Sequence, residues 1–234
     1  MDGRHIRFYD AEAATVVWEL TLAGLSRSEA SALEALFQAT EGRLNPFTWL
    51  DPLSNLLCWS EDFSAPDWVR GGYLQLTSGQ SDPLGGHRAT QVTNTGQIAQ
   101  RLEQSLAAPG SYRYCMSVWA RSGAATPVTL SIRTTTESSL HTTFTGGQWT
   151  RLNIGSQLQS SDEQVKFGVE IPAGATLDVF GVQAEPQPSP GGYVRTTSRS
   201  GVYSARFAQD FLLLEAAGPD VFSTSLKIIA NLQG

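Results

Sequence analysis

Apolar and polar positions alternate along residues 15–22 (TVVWELTL), putting Val16, Trp18, Leu20 and Leu22 on one side and Val17, Glu19 and Thr21 on the other. A period of two is that of a half-buried strand. The period then changes. In LSRSEASALEALFQATEGRLNPFTWLDP (residues 25–52), Leu33, Leu36 and Phe37 recur at three- and four-residue spacing, which predicts an amphipathic helix. Ser26 and Glu29 fix its start, forming the S-x-x-E capping box in which each side chain satisfies the other residue's orphan backbone donor. Gly42 supplies the left-handed residue that ends a helix, and Asn45-Pro46 turns the chain into an aromatic strand at Phe47, Trp49 and Leu50. A single apolar stripe cannot be buried alone, so the helix has to pack on a sheet.

From Leu53 onward, short apolar runs are separated by Gly, Ser, Pro and Asn clusters. Strands are expected at 73–76, 89–92, 97–100, 112–120, 128–133, 140–144, 149–154, 164–169 and 176–184. Many short strands at regular spacing indicate a two-sheet sandwich or jelly roll. In YRYCMSVWAR both faces are partly apolar, Tyr114, Met116 and Val118 against Cys115 and Trp119, so this strand is expected to be central. Residues 185–201 (EPQPSPGGYVRTTSRSG) read as an extended connector. Beyond it, Gly218-Pro219-Asp220 is turn chemistry between Phe211–Glu215 and Val221–Ile229, which predicts a hairpin.

The fold class expected is mainly β. An α+β domain with one main helix is formed by residues 1–54 and 200–234, because a lone hairpin is marginal in water and completes the first module economically. An antiparallel β-sandwich or jelly roll is inserted at 55–186, with a linker at 187–199. Trp18, Leu33, Leu36, Phe37, Trp49, Phe211, Leu213 and Phe222 are the expected core and assembly residues of the discontinuous domain.

Charge narrows the function. The chain has 234 residues, a net charge of −6 and only 16% charged residues, which argues against a nucleic-acid binder with a basic stripe. No apolar run reaches the length of a membrane span, and MDGRHIRFYD lacks a signal-peptide core. Cys58 and Cys115 lie among apolar residues without a disulfide or zinc spacing, so buried free thiols are expected. His5, His87 and His141 are too scattered for a metal pair or a nucleophile triad, so no enzyme is expected.

The order WELTLAGLS, helix, ATEGRLNPFTWLDP and ARFAQDFLLLEAAGPDVFSTSLKIIA resembles minor and distal tail proteins of long-tailed bacteriophages. The stretches NLLCWSEDFSAPDWVRGG, YRYCMSVWAR, GGQWTRLNI and LDVFGVQAEPQPSPGGYVRTTS resemble the carbohydrate-binding-module-like jelly rolls of phage tail, fibre and baseplate proteins. The first resemblance implies a structural virion protein at the tail tip, made in the host cytoplasm. It would form a hexameric ring, or alternatively a trimer, between the tail tube protein and a tail hub or central tip protein. The second implies a peripheral module in contact with host cell-surface polysaccharide; the alternative function is a sugar-binding, lectin-like receptor module attached to the tail.

Trp68, Arg70 and Tyr73 are the candidate glycan-binding residues, since an indole or phenol can cover the apolar face of a sugar ring. Trp59 and Trp149 are weaker candidates of the same kind. Glu61, Asp62 and Asp67 are candidate ligands of a structural calcium, with a solvated loop capped by Asp62 as the alternative; no other cofactor is expected. Arg195, Arg199 and Arg206 either meet an acidic neighbouring subunit or solubilise the connector, and Arg27 and Arg43 flank the helix.

Overall fold

The computed structural model describes residues 6–8, as backbone, and 15–232; His5 therefore lies outside the described residues. In chain order the elements are β1 (Ile6–Phe8), β2 (Thr15–Ser26), α1 (Arg27–Ala39), β3 (Phe47–Leu50), β4 (Trp68–Arg70), β5 (Leu74–Gln80), β6 (Ala89–Asn94), β7 (Gln100–Leu106) and β8 (Arg113–Arg121). They continue with β9 (Thr126–Arg133), β10 (Ser138–Thr145), β11 (Thr150–Gln157), β12 (Val165–Ile171), β13 (Thr176–Glu185), β14 (Val202–Phe207), β15 (Glu215–Gly218) and β16 (Val221–Asn231). The chain divides into two compact units, residues 1–49 with 203–234 and residues 50–202.

In the first unit, one antiparallel sheet runs β1-β2-β16-β14-β3, with β15 paired to β16. The register sets Trp18 opposite Ile228 and Leu20 opposite Leu226. That register puts Val16, Trp18, Leu20, Ala205, Phe207, Leu226, Ile228 and Ala230 into one buried face. Leu33 and Phe37 of α1 pack on it, and Phe207 lies between Phe37 and Phe47, its ring centroid 5.0 and 4.9 Å from theirs. The capping box is formed: Glu29 N donates to Ser26 Oγ at 3.3 Å and Ser26 N to Glu29 Oε2 at 2.8 Å. The Ser26 hydroxyl, which donates to Glu29 Oε2 at 2.7 Å, and the Ser26 amide hold the Glu29 carboxyl below its ordinary pKa.

Three of the expected core residues of this unit are not core. Phe211 is 72% exposed, Leu213 59% and Leu36 39%. Of this arm only Glu215–Gly218 pairs with β16, and Phe211–Leu214 run beside the sheet rather than in it, Leu213 O accepting from the Thr224 hydroxyl at 2.6 Å. Leu36 lies outside the arc of the helix that Ala30, Leu33 and Phe37 turn inward. Trp18 is buried, and Trp49 and Phe222 are half-buried.

The second unit is a mainly-β, jelly-roll-like sandwich of two five-stranded antiparallel sheets, ordered β10-β9-β12-β7-β4 and β11-β8-β13-β6-β5. Val128, Leu130, Ile132, Phe167 and Val169 of the first meet Met116, Val118, Leu177, Val179 and Val182 of the second in one continuous core. β8 sits between β11 and β13, as its two apolar faces suggest. The strand expected at 97–100 instead begins at Gln100 and runs to Leu106. Its alternation is masked by Gln104, a buried amide that accepts from Cys58 N at 2.8 Å and donates to Cys58 O at 3.1 Å. Cys58 and Cys115 are free thiols; burial pushes the Cys115 thiol up to about 11, with Glu185 adding to the rise, while Cys58 is only half-buried.

Residues 187–199, expected as a linker, are instead strapped across the outer face of the β11-β8-β13-β6-β5 sheet. Arg151 Nη1 donates to Gly191 O at 2.7 Å, Gln183 Nε2 to Gly192 O at 3.0 Å and Val194 N to Gln183 Oε1 at 2.7 Å. The Tyr193 ring packs on Trp119 and Phe180, with centroids 5.2 and 5.6 Å away. Two glycines make room. At Gly181, in the β13 bulge at φ +62°, a Cβ would stand 3.1 Å from the Trp119 and Tyr193 rings; at Gly155 it would meet Pro188 O at 2.5 Å. Proline and glycine therefore shape a close-fitting cover here rather than a free tether.

Candidate functional site

With one sheet face strapped, the outer face of β10-β9-β12-β7-β4 is the broad open surface of the sandwich. Strand alternation decides what it shows. Val128, Leu130 and Ile132 point inward, so Pro127, Thr129, Ser131 and Arg133 point out, opposite Phe144, Thr142, Leu140 and Ser138 of β10. Lys166, Gly168 and Glu170 of β12 and Arg101, Glu103 and Ser105 of β7 continue the face, and Val69 of β4 ends it.

The centre is closely filled. A Cβ at Gly168 would lie 2.9 Å from Ser131 Oγ and 3.2 Å from Glu103 Cβ, so these neighbours occupy the space over the glycine, and Ser131 is buried. Ion pairs lie over this centre: Arg133 with Glu103, and Arg101 Nε with Glu170 Oε2 at 2.8 Å. The first reaches from β9 to β7 over the intervening β12 and the second joins β7 to β12, so donors and acceptors are held at fixed places, and Thr129 and Thr142 hydroxyls bond at 2.8 Å between β9 and β10. At one edge Phe144 is 69% exposed and Leu140, on the same face of β10 with Thr142 between them, is also exposed. At the other, a hollow of about 470 Å³ is lined by Val69, Arg70, Ile98, Gln100, Arg101 and Glu170. The surface is thus a row of fixed ion-paired and hydroxyl groups with an exposed phenylalanine at one edge and a hollow at the other, which suits a long, polyhydroxylated chain.

Of the three glycan candidates, Trp68 is misplaced. It is 3% exposed, edge-on to Phe63, and its Nε1 donates to Trp59 O at 3.1 Å, so its ring is spent in the core. Arg70 lines the hollow, while Tyr73 is exposed over Gly96 outside it. The three do not form one site. Reasoning from the sequence missed Phe144, Leu140, Lys166 and Glu170. The signal for Phe144 and Leu140 was the run SSLHTTFT, an edge strand with hydroxyls on most positions and a phenylalanine that has no core role; Lys166 and Glu170 carried none.

The proposed calcium ligands also part. Glu61 carries ion pairs to Arg88 and Arg195, and Asp62 Oδ1 accepts from Ser64 N at 3.0 Å and Ser64 Oγ at 2.5 Å, while Asp67 is exposed. Among the described residues no three His, Cys, Asp or Glu side chains gather to hold a metal ion. The residues present do not fit a calcium site. Arg195 is spent on Glu61 and Arg206 on Leu44 O, so neither is a free linker cation; Arg27 and Arg43 pair with Asp220 and Asp210 at 2.7 and 2.8 Å. Trp149 carries the Arg121 guanidinium 4.7 Å from its ring centroid. Among the described residues no helix is long and apolar enough to cross a membrane.

No family model matches the sequence, and no curated protein matches it either. Among solved structures the chain is similar to the CBM22-1 xylan-binding domain of Paenibacillus barcinonensis Xyn10C, at 11% identity and a TM-score of 0.46, over 63% of this chain and 98% of that one. It is similar to TmCBM61, solved with β-1,4-galactotriose, at 15% identity and a TM-score of 0.42, over 57% of this chain and 99% of that one. It is also similar to the enzymatically active domain of bacteriophage CBA120 tailspike protein 4, at 12% identity and a TM-score of 0.46, over 56% of this chain but only 21% of that one. The likeness is one of strand arrangement.

Proposed function

We propose that the sandwich is a non-catalytic carbohydrate-binding module whose open sheet face receives an extended polysaccharide. The observation that carries this is the asymmetry of the two outer faces: residues 187–199 cover one, and the other presents fixed ion pairs between an exposed phenylalanine at one edge and a hollow at the other. Sugar hydroxyls would exchange hydrogen bonds with Arg101, Glu103, Arg133 and Glu170, and Phe144 would cover a ring face. The test is a soluble-glycan panel that includes neutral xylo- and galacto-oligosaccharides and host surface polysaccharides, read by calorimetry. Saturable binding that weakens about tenfold in Phe144→Ala, the size of one stacking contact, supports the reading. Binding that survives Phe144→Ala together with Lys166→Ala would place the sugar elsewhere.

A second reading concerns the first unit. Phe211, Leu213 and Leu44 are exposed there, and β15 with the start of β16 makes a hairpin beyond the buried face. Contiguous exposed apolar groups mark contact surfaces. This favours an assembly role as a virion protein of the bacteriophage tail tip, ringed as a hexamer or trimer between tube and hub proteins, with the sandwich at the periphery. Native mass measurement and imaging of particles test it; a monomer that never enters particles would overturn it.

A further inference from the structure

At one end of the sandwich, away from the open sheet face, the loop from Trp59 to Ser64 and the tail of the strap enclose a pocket of about 390 Å³, lined by Trp59, Ser78, His87, Arg88, Arg195 and Thr197 among others. Its charges are layered. Glu61 and Asp82 lie beneath, with side chains 6% and 0% exposed, whereas those of Arg88 and Arg195 are 41% and 56% exposed. Glu61 takes both bonds from Arg88 Nη1 at 3.0 Å, the Arg195 Nε ion pair at 2.9 Å and the Tyr193 hydroxyl at 3.0 Å. Asp82 accepts from the Leu84, Gly86 and Arg88 amides at 2.8, 3.0 and 3.1 Å. Asp62, an exposed acid of this pocket, is turned into its own loop by Ser64. What a ligand meets is therefore guanidinium, with its counter-charge buried behind it.

Both arginines are held in advance. Arg88 lies 5.6 Å from the Phe180 ring centroid and 3.6 Å from Asp82. Arg195 engages Glu61 through Nε at 2.9 Å and leaves its side chain 56% exposed. Trp59 stands beside them in the left-handed region at φ +48°, which a tryptophan rarely adopts. Its backbone is pinned there by Thr197 O at 2.8 Å, Asp62 N at 3.1 Å and Trp68 Nε1 at 3.1 Å. A strained aromatic, two fixed guanidiniums and a ring of hydroxyls match one chemistry.

We propose that this pocket binds a carboxylate-bearing sugar of the uronic acid class, the carboxylate on Arg88 and Arg195 and the ring hydroxyls on the serine and threonine side chains beside Trp59. Guanidinium forks fit a carboxylate bidentately, and exposed ion pairing weakens with salt. The test is an NMR titration of the full chain with D-glucuronate and trigalacturonate, against neutral galactotriose and against acetate. The expected result is saturable movement of the Trp59 indole and His87 signals by the acidic sugars, weakened by salt and about tenfold or more by Arg195→Ala. Arg88 still neutralises Glu61 in that variant, and a thermal melt checks its fold. Trp59→Asn keeps a residue that tolerates the left-handed backbone, and it is expected to weaken the sugars while leaving acetate unchanged. Equal binding of the neutral trimer at these signals, equal binding of acetate, or indifference to both substitutions would overturn the proposal. Neutral sugars moving the Phe144 signals report the sheet face separately, so failure of one site is not failure of the other.

Discussion

The two units solve the same burial problem differently. In residues 50–202 two sheets cover each other, and the chain's own return segment covers a third surface, Tyr193 seating on Trp119 and Phe180. In the other unit a single sheet meets a single helix of 13 residues, and Phe211, Leu213, Leu36 and Leu44 stay in solvent. A sheet needs a second layer on its apolar face, and a short helix covers little of it. The sandwich is closed in itself, whereas the smaller unit leaves more of its apolar groups in solvent, which is the contrast that the ligand-binding and assembly proposals rest on.

The sharpest way to break that contrast is to empty each core in turn. Phe207→Ala removes a ring held between Phe37 and Phe47 and is expected to cost about 3–5 kcal/mol, enough to abolish the smaller unit's cooperative melt. Leu130→Ala in the sandwich is expected to cost about 2–5 kcal/mol and to lower only the second transition in calorimetry. Transitions that shift together in both variants would mean that the units do not fold independently.

A smaller effect is expected at the strap. Gly181→Ala places a Cβ against Trp119 and Tyr193 in a left-handed backbone, a conformation that alone costs about 1–2 kcal/mol in a non-glycine residue. Loosening of residues 187–199 would show as faster hydrogen exchange at Val194 and Thr196, whose amides are bonded to Gln183 and Ser60. Unchanged exchange there would mean that the cover holds without the glycine fit.

What was legible in the sequence follows from what each residue spends itself on. The capping box and helix were readable because Ser26 and Glu29 act on neighbours a few positions away. Most sandwich strands were readable because inward residues such as Val128, Leu130 and Ile132 alternate without a break. β7 was not, since Gln104 takes an inward position only because Cys58 is waiting for it 46 residues earlier. The strap looked like a linker for the same reason: Gly155, Gly181 and Gln183 are its receptors, and nothing local to residues 187–199 names them. Trp68 looked like a sugar platform, but its partner Phe63 and the Trp59 carbonyl claim it for the core. The site itself was least legible, because the Arg133–Glu103 pair reaching over Gly168 exists only once β12 lies between β9 and β7.

The smallest expected effects lie at low pH, where the two units carry matching devices. Asp162 accepts from Thr135 N at 2.8 Å and Thr135 Oγ1 at 2.6 Å, and these bonds together with that of Ser160 hold its pKa at about 2. A folded-state pKa below the unfolded value of about 3.9 gives stability that is complete above roughly pH 4 and is lost as pH falls through about 2. Glu29 behaves likewise in the capping box, its carboxyl lowered by the Ser26 hydroxyl and amide, so its contribution also fades on acidification. Asp162→Asn is therefore expected to flatten the acid limb of the sandwich transition only, and Glu29→Gln that of the smaller unit only, both leaving melts near pH 7 a few degrees lower at most. Because both groups face water, these shifts are small and salt-sensitive. An acid limb in the sandwich that keeps its slope in Asp162→Asn would show that the carboxyl titrates alike in the folded and unfolded chain, so that the Thr135 bonds do not lower it.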